Sequence, residues 1–216
     1  MKLIERRERL SLTKTGWAGL LAVVFFAVFL VVCQVHPFLA TTQPVRGDFL
    51  VVEGWLDDAP LKDAAKELER HPYRLVVTTG GPLSKGYHLE RYRTFADLGA
   101  ARLRQLGLAE EKIVAVAGEN LVKDRTYAAA VALRAWLRET HPDVRTIDVF
   151  SQACHSRRSW ILFQEALGDE YRVGVIAADD PEYDAERWWT SSRGVRSGVG
   201  ETIAYVYAKF LFFPSD

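Results

Sequence analysis

A polar run at residues 151–158 (SQACHSRR) follows a predicted strand and opens a predicted helix. His155 and Arg158 are three residues apart, so a helix places them on one face. A helix N-terminus attracts anions through its free amides and its macrodipole. Arg158 can form a bidentate pair of hydrogen bonds with a phosphate or carboxylate, and His155 can transfer a proton. The run predicts an anion site with His155 as acid or base and with Ser151 and Arg158 as binding residues. A helix cap with surface cations is the alternative.

A second candidate corner lies at residues 123–126 (KDRT), where another predicted helix begins after a strand. Asp124 suits the N-cap position, because its carboxylate can accept a backbone N–H of the first turn. Arg125 and Thr126 can point into the same crevice as His155 and bind an anion there. The alternative is a capped helix whose Lys and Arg side chains are solvated.

Two more strand ends carry candidate residues. Gly80 and Gly81 follow a strand, and paired glycines allow positive φ and close backbone approach, so their amides can hold an anion. A turn that simply needs glycine is the alternative. Glu53 ends the first strand, and we predict that Glu53 and Asp124 are the carboxylates that assist His155.

Other chemistries have weaker support from the sequence. Cys154 adjoins His155, but neighbouring residues on a turn rarely present their side chains to one another, so a Cys nucleophile is not predicted. The spacing of Glu53, Asp179, Asp180 and His155 matches no recognised metal pattern, so no metal is predicted. No motif assigns a cofactor.

Alternating strands and helices must position these residues. Short β-branched runs typical of buried parallel strands occupy residues 49–52, 75–79, 113–116, 146–150 and 173–176. Helical patterns occupy residues 61–70, 89–106, 125–140, 155–167 and 200–213. The alternation predicts an α/β, Rossmann-like, doubly wound and mainly parallel sheet of about five strands. Ligands bind beyond the carboxyl ends of such strands, which is where the candidate residues fall.

The segment 200–213 (GETIAYVYAKFLFF) predicts a closing helix packed on the sheet. It is too short to be a second membrane span. Aromatic side chains favour the membrane interface, so contact of Phe210, Phe212 and Phe213 with a bilayer surface is the alternative.

Residues 16–33 are free of charged and strongly polar side chains, and 18 helical residues rise about 27 Å, close to a bilayer core. We predict a transmembrane anchor at 16–35, after a basic N-terminus at 1–15 and before a tether at 36–47. Five basic residues precede the span, and the first one after it is Arg46. The positive-inside rule therefore places the N-terminus in the cytoplasm and the domain at 48–216 outside. A bacterial inner membrane suits this arrangement. A cleaved signal peptide is less favoured, because the run exceeds the usual apolar core and residues 38–40 suit cleavage poorly.

The overall composition excludes several classes. The chain has 216 residues, with 28 Lys plus Arg against 28 Asp plus Glu, and 49% hydrophobic residues. Neutral net charge gives no drive toward nucleic acid, so no nucleic-acid partner is predicted. Two cysteines cannot form a disulfide scaffold.

Taken in order, the segments FLVVEGW, LVVTTGG, VKDRTYAAA, FSQACHSRRS and GETIAYVY resemble the bacterial SanA/YdcF/ElyC family over residues 48–213. The resemblance implies a Rossmann-like exported domain, an N-terminal anchor and a link to cell-envelope or peptidoglycan processes. It implies family site residues at Gly80, Gly81, Thr126, His155 and Arg158. Many relatives carry Glu and Asn shortly after the Thr, where this chain has alanines at 128–130. Glu53, Asp124 or Glu201 would then have to supply that carboxylate.

Three functions follow from these features. The first is an envelope enzyme, of hydrolase, phosphatase or transferase type, acting on an anionic phosphorylated substrate linked to lipid or sugar. The second is a non-catalytic module that binds such a ligand, and the third is a membrane-tethered scaffold. An enzyme should place Glu53, Asp124 or Asp179 within reach of His155, whereas a crevice of cations and amides alone would favour binding. Oligomeric state is not encoded.

Overall fold

The computed structural model describes residues 11–83, 92–118 and 124–214. The chain forms two compact units, Met1–Gln34 and Val35–Asp216. The basic residues of the N-terminal ten, Lys123 and the start of the helix predicted at 89–106 lie outside the described residues.

The first unit is dominated by an apolar helix. Helix α1 spans Lys14–Leu39, and its residues from Val35 onward belong to the second unit. Most of its apolar side chains before residue 32 are exposed, with Phe25 and Val23 among the most exposed, whereas Leu39 at its end is buried. By length and composition, α1 is the one helix in the described part of the chain that could cross a membrane. The predicted apolar helix is therefore present.

The second unit contains a five-stranded parallel sheet in the order β3-β2-β1-β4-β5. The strands are β1 Phe49–Glu53, β2 Leu75–Gly80, β3 Ile113–Ala117, β4 Thr146–Gln152 and β5 Arg172–Ala178. The helices are α2 Asp58–Arg70, α3 Phe95–Gln105, α4 Arg125–Thr140, α5 His155–Leu167 and α6 Ser192–Phe210, with short 3₁₀ helices at Glu110–Lys112 and Ala185–Thr190. The predicted α/β fold with a five-stranded parallel sheet is confirmed.

Alternating side chains of β1 build two cores, one on each face of the sheet. Phe49 and Val51 join a cluster with residues of α4 and α5. Leu50 and Val52 join a second cluster with residues of α2 and α3. All four side chains are fully buried. This is the doubly wound arrangement, and its strand order reverses between β1 and β4, which makes their carboxyl ends the expected ligand crevice.

Three segments differ from the sequence prediction. Helix α3 begins at Phe95, because Thr94 caps it in a capping box with Asp97. Residues of the predicted tether are tied to the sheet, since the buried Asp148 carboxylate accepts N–H bonds from Val45 and Gly47. Gln43 also forms an antiparallel bridge with β5.

The closing helix is longer than predicted and packs differently. Helix α6 begins at Ser192, whose preceding residue Ser191 caps it by accepting the Gly194 N–H. It packs chiefly on α5 and on the 3₁₀ helix Ala185–Thr190, not on the sheet. Gly194 and Gly198 allow this approach, because a Cβ at Gly198 would lie 2.7 Å from the Trp188 ring.

Candidate functional site

A cavity of about 760 Å³ lies at the carboxyl ends of the strands, over the β1/β4 switch point. Every predicted site residue except Ser151 lines it: Glu53, Gly80, Gly81, Asp124, Arg125, Thr126, His155 and Arg158. The parallel sheet therefore brings together residues that are up to 105 positions apart in the chain. Their proposed roles stay predictions.

Glu53 occupies the floor of this cavity. It is the last residue of β1 and is only 3% exposed. Its carboxylate accepts hydrogen bonds from Ser151 Oγ and from Ser159 Oγ, the latter at 3.0 and 3.1 Å. Burial raises the pKa of Glu53, but the charge of His155 and the hydrogen bond from Ser151 outweigh burial and lower the pKa overall. Glu53 is therefore a buried carboxylate, and Ser151 supports it from below instead of lining the cavity.

His155 stands at the start of α5, where the strand–helix turn places Ala153 at a positive φ of 41°. Its Nε2 lies 3.6 Å from Glu53 Oε1, and its Nδ1 lies 2.9 Å from Glu201 Oε1. The ring packs edge-on against Trp55. Burial alone would lower the pKa of His155, but the charge of Glu53 and the hydrogen bond with Glu201 raise it to about 9. At neutral pH this residue is an imidazolium.

Glu201 of α6 binds both cations of the site. Besides His155, it accepts from Arg158 Nε at 2.8 Å and from Arg158 Nη2 at 3.1 Å. Burial raises the pKa of Glu201, yet hydrogen bonds from His155 and Arg158 lower it to about 2. Burial likewise lowers the pKa of Arg158, and the hydrogen bond and charge of Glu201 raise it overall. The side chain of Arg158 is thus fixed by Glu201, which sequence reasoning considered only as a substitute for the family carboxylate.

The protons of His155 follow from these contacts. Because Nδ1–H donates to Glu201, Arg158 Nη2, 2.9 Å from the same nitrogen, does not donate to it and is held by Glu201 instead. Nε2 is buried and has no hydrogen-bond partner in the described part of the chain. Thr79 Oγ1, beside the cavity, is likewise buried and makes no hydrogen bond to a described residue. Buried polar atoms are normally hydrogen-bonded, so these two atoms are the least satisfied polar groups in the wall of the cavity.

The start of α4 and the turn at Gly80 differ in detail from the sequence prediction. Asp124 occupies the predicted N-cap position of α4, but it lies in the left-handed region (φ 52°) and its side chain does not make the expected capping hydrogen bond. Arg125 is exposed beside the cavity. Gly80 has φ 154°, and a Cβ there would lie 2.6 Å from the Phe95 Cβ, so close packing on α3 requires glycine at this turn.

The rim of the cavity includes two cations that sequence reasoning missed, Arg193 and Arg196 of α6. Arg193 pairs with Asp180 at 3.3 Å and with Glu182 at 3.0 Å. The lining thus holds four guanidinium groups and the His155 imidazolium against four carboxylates, for a small positive excess. The sequence could have indicated these two arginines if the last helix had been predicted to begin earlier. That helix then includes the segment SRGVR together with Glu201.

Other reactive groups take no part in this arrangement. Cys154 is fully buried, and burial raises the pKa of its thiol, whose Sγ lies 3.8 Å from the Tyr183 hydroxyl, so its surroundings do not favour the thiolate. In residues 11–83, 92–118 and 124–214, no cluster of three His, Cys, Asp or Glu side chains is placed to hold a metal ion.

Fold and cavity together define the class: a doubly wound α/β protein with an ionised His–carboxylate–Arg cluster at its topological switch point. Neither a protein-family model nor a curated protein matches the chain.

Proposed function

We propose that this protein is a membrane-anchored enzyme that cleaves or transfers a phosphorylated group, with His155 as its general acid. One observation carries the proposal: the His155 imidazolium lies between the Glu53 and Glu201 carboxylates in the wall of a cavity with excess positive charge, and its Nε2 makes no hydrogen bond to any described residue. The nearby Glu53 and Glu201 are the carboxylates that an enzymatic site needs and a simple anion-binding crevice does not.

The chemistry follows from the protonation state. An acid that is charged at neutral pH can protonate a leaving oxygen, which typically accelerates a reaction 10²–10⁴-fold. A water molecule or acceptor hydroxyl forms the new P–O bond, the bond to the leaving oxygen breaks, and that oxygen takes the Nε2 proton. The proton of the attacking hydroxyl then returns to the imidazole. Exposed Arg125 and Arg196 can hold the remaining phosphate oxygens.

Arg158 has a different role in this proposal. Arg158 donates two hydrogen bonds to Glu201, so it fixes the orientation of the carboxylate that orients His155. We therefore assign Arg158 and Glu201 as positioning residues and His155 as the catalytic residue. The backbone amides of Gly80 and Gly81, which line the cavity, can contact the substrate's phosphate.

The cellular setting extends the proposal. Helix α1 has the length and composition of a single membrane span, and the basic residues before it favour a cytoplasmic N-terminus. Together with the resemblance to the SanA/YdcF/ElyC family, this supports a bacterial inner-membrane protein acting on cell-envelope substrates. Reporter fusions after residue 214 and before residue 14 test it, and a cytoplasmic C-terminus would overturn it.

The decisive experiment is a turnover screen of the purified full-length protein in detergent against phosphorylated lipid- and sugar-linked envelope precursors. His155→Gln should lower kcat by about 10²–10⁴-fold. Arg158→Lys keeps the charge but loses the bidentate contact with Glu201, and it should lower kcat less than His155→Gln does. Arg138→Lys is the matched control, because Arg138 makes the same two-pronged contact with Glu170 on the surface. Wild-type turnover by His155→Gln would refute the proposal.

A non-catalytic binding role is favoured by one feature of the same cluster. His155, Arg158, Glu53 and Glu201 neutralise one another before any ligand arrives, as expected for a rigid recognition site. In that case the protein would bind the precursors by calorimetry without turnover, and His155→Gln would change affinity alone.

A further inference from the structure

Helix α6 carries an exposed apolar stripe that the cavity does not explain. Its members recur every three or four residues and are between 40% and 66% exposed: Val195, Val199, Ile203, Val206 and Phe210. This spacing keeps them on one helix face about 22 Å long. Beyond the helix end, Leu211 and Phe213 are also exposed. Contiguous exposed apolar surface of this kind marks an interaction site.

The opposite side of α6 is already used. Gly194 and Gly198 are buried there, the latter against Trp188, and Glu201 binds His155 and Arg158. Phe212 packs its ring against Tyr127 at 5.0 Å, so it is not part of the exposed stripe. The stripe therefore faces away from the domain core and is available to a partner.

The position of the stripe along the chain favours a lipid surface as that partner. Phe38 follows the apolar run that ends at Cys33 by five residues, and five residues span at most about 18 Å. The Phe38 ring lies 5.3 Å from that of Tyr205 in the middle of α6, and Arg157 stacks over it at 4.1 Å. If the apolar run crosses a bilayer, covalent connection keeps the middle of α6 near the bilayer surface.

The charges beside the stripe select the kind of lipid. Exposed Arg196 and Lys209 flank it, and Glu201, the one acidic residue between 192 and 213, is paired inside the domain. Apolar and aromatic side chains bordered by cations are typical of helices that lie in the interface of anionic membranes. We propose that the stripe of α6 is a membrane-binding surface that rests on anionic phospholipid. This inference depends on the proposed membrane anchor and is independent of catalysis.

Nitroxide labels test the surface in the full-length chain reconstituted into vesicles of equal phosphatidylcholine and phosphatidylglycerol. The labels are placed at Val206→Cys and Phe210→Cys in a Cys33→Ala background. Val131→Cys on α4 is the matched control, since Val131 is 43% exposed and Val206 44%. We expect oxygen to relax the α6 labels several-fold more than a water-soluble nickel chelate does, and the reverse at Val131.

A label at Phe25→Cys in α1 separates the two hypotheses. If Phe25 reports lipid while the α6 labels behave like Val131, the anchor stands and the membrane-binding surface is refuted. If Phe25 also reports water, the anchor itself fails. If the α6 labels are shielded from both reagents and show spin–spin broadening, a second copy covers the stripe and the proposal is overturned.

Discussion

The electrostatic link between Glu53 and His155 gives the most direct test of the site. In the wild-type protein the pKa of His155 is about 9, because attraction to Glu53 and the hydrogen bond with Glu201 outweigh burial. Glu53→Gln removes the charge while keeping side-chain size and an oxygen that accepts from Ser151 and Ser159. We therefore expect this substitution to lower the pKa of His155.

The structure sets the size of the effect. His155 Nε2 and Glu53 Oε1 are 3.6 Å apart. Two unit charges at this distance interact by about 5 kcal/mol at an effective dielectric constant of about 20, which corresponds to a pKa change of about 3. The imidazole of the variant should therefore titrate near or below its ordinary value of 6.5 and be largely neutral above it.

Histidine-selective NMR titration of the full-length protein in detergent measures this pKa. The chain has five histidines, so His155→Gln identifies the resonance. Asp124→Asn is the control, because Asp124 lines the cavity without contacting the imidazole, and it should leave the titration nearly unchanged. A wild-type His155 that titrates near 6.5, or a Glu53→Gln variant that matches the wild type, would refute the reasoning.

Three stability predictions concern the same elements. Glu201→Ala should cost about 3 kcal/mol in denaturant unfolding, because it leaves the half-buried Arg158 without its carboxylate and His155 with Glu53 alone. Glu170→Ala, in an exposed pair, should cost at most about 1 kcal/mol. Gly198→Ala should lower the free energy of unfolding by about 1–3 kcal/mol, because its Cβ would meet the Trp188 ring. Gly200→Ala, with nothing within 4 Å of the added Cβ, should raise it by up to about 1 kcal/mol. Equal denaturation midpoints for the two variants would contradict the packing of α6 on Trp188. The raised pKa of His155 stabilises the fold fully below pH 6.5, and this contribution, about 3 kcal/mol, is lost as pH rises through about 9; a flat profile from pH 6 to 10 would exclude it.

Much of the fold could be predicted because its signals are local. Each strand is a short β-branched run whose residues alternate between two buried faces, as Phe49 and Leu50 do. Helices α4 and α5 have the predicted bounds, since Pro142 follows one and Gly168 ends the other. Helix α3 differs because its capping box, starting at Thr94, sets its beginning more strongly than the apolar pattern before it.

Only the part of the candidate site that lies at the strand ends could be predicted from the sequence. Parallel strands end at one edge, so Glu53 and His155 were expected together, and their side chains do approach each other. Glu201 and Arg193 lie on α6, which contacts α5 instead of continuing the strand–helix pattern. The periodicity of the last segment predicts a helix but does not indicate which neighbouring helix it packs against. That choice depends on small glycines meeting Trp188, which is a tertiary fit.

The two carboxylates beside His155 serve different purposes, and this decides which variant isolates the chemistry. Glu53 is fixed by Ser151 of β4 and Ser159 of α5, so Glu53→Gln changes the charge near His155 Nε2 and little else. Glu201 joins His155, Arg158 and α6, so its loss changes charge, imidazole orientation and helix packing together. If His155 acts as an acid, Glu53→Gln should shift the falling limb of the pH–rate profile to lower pH while the fold remains intact. Loss of Glu201 should instead lower turnover and stability together.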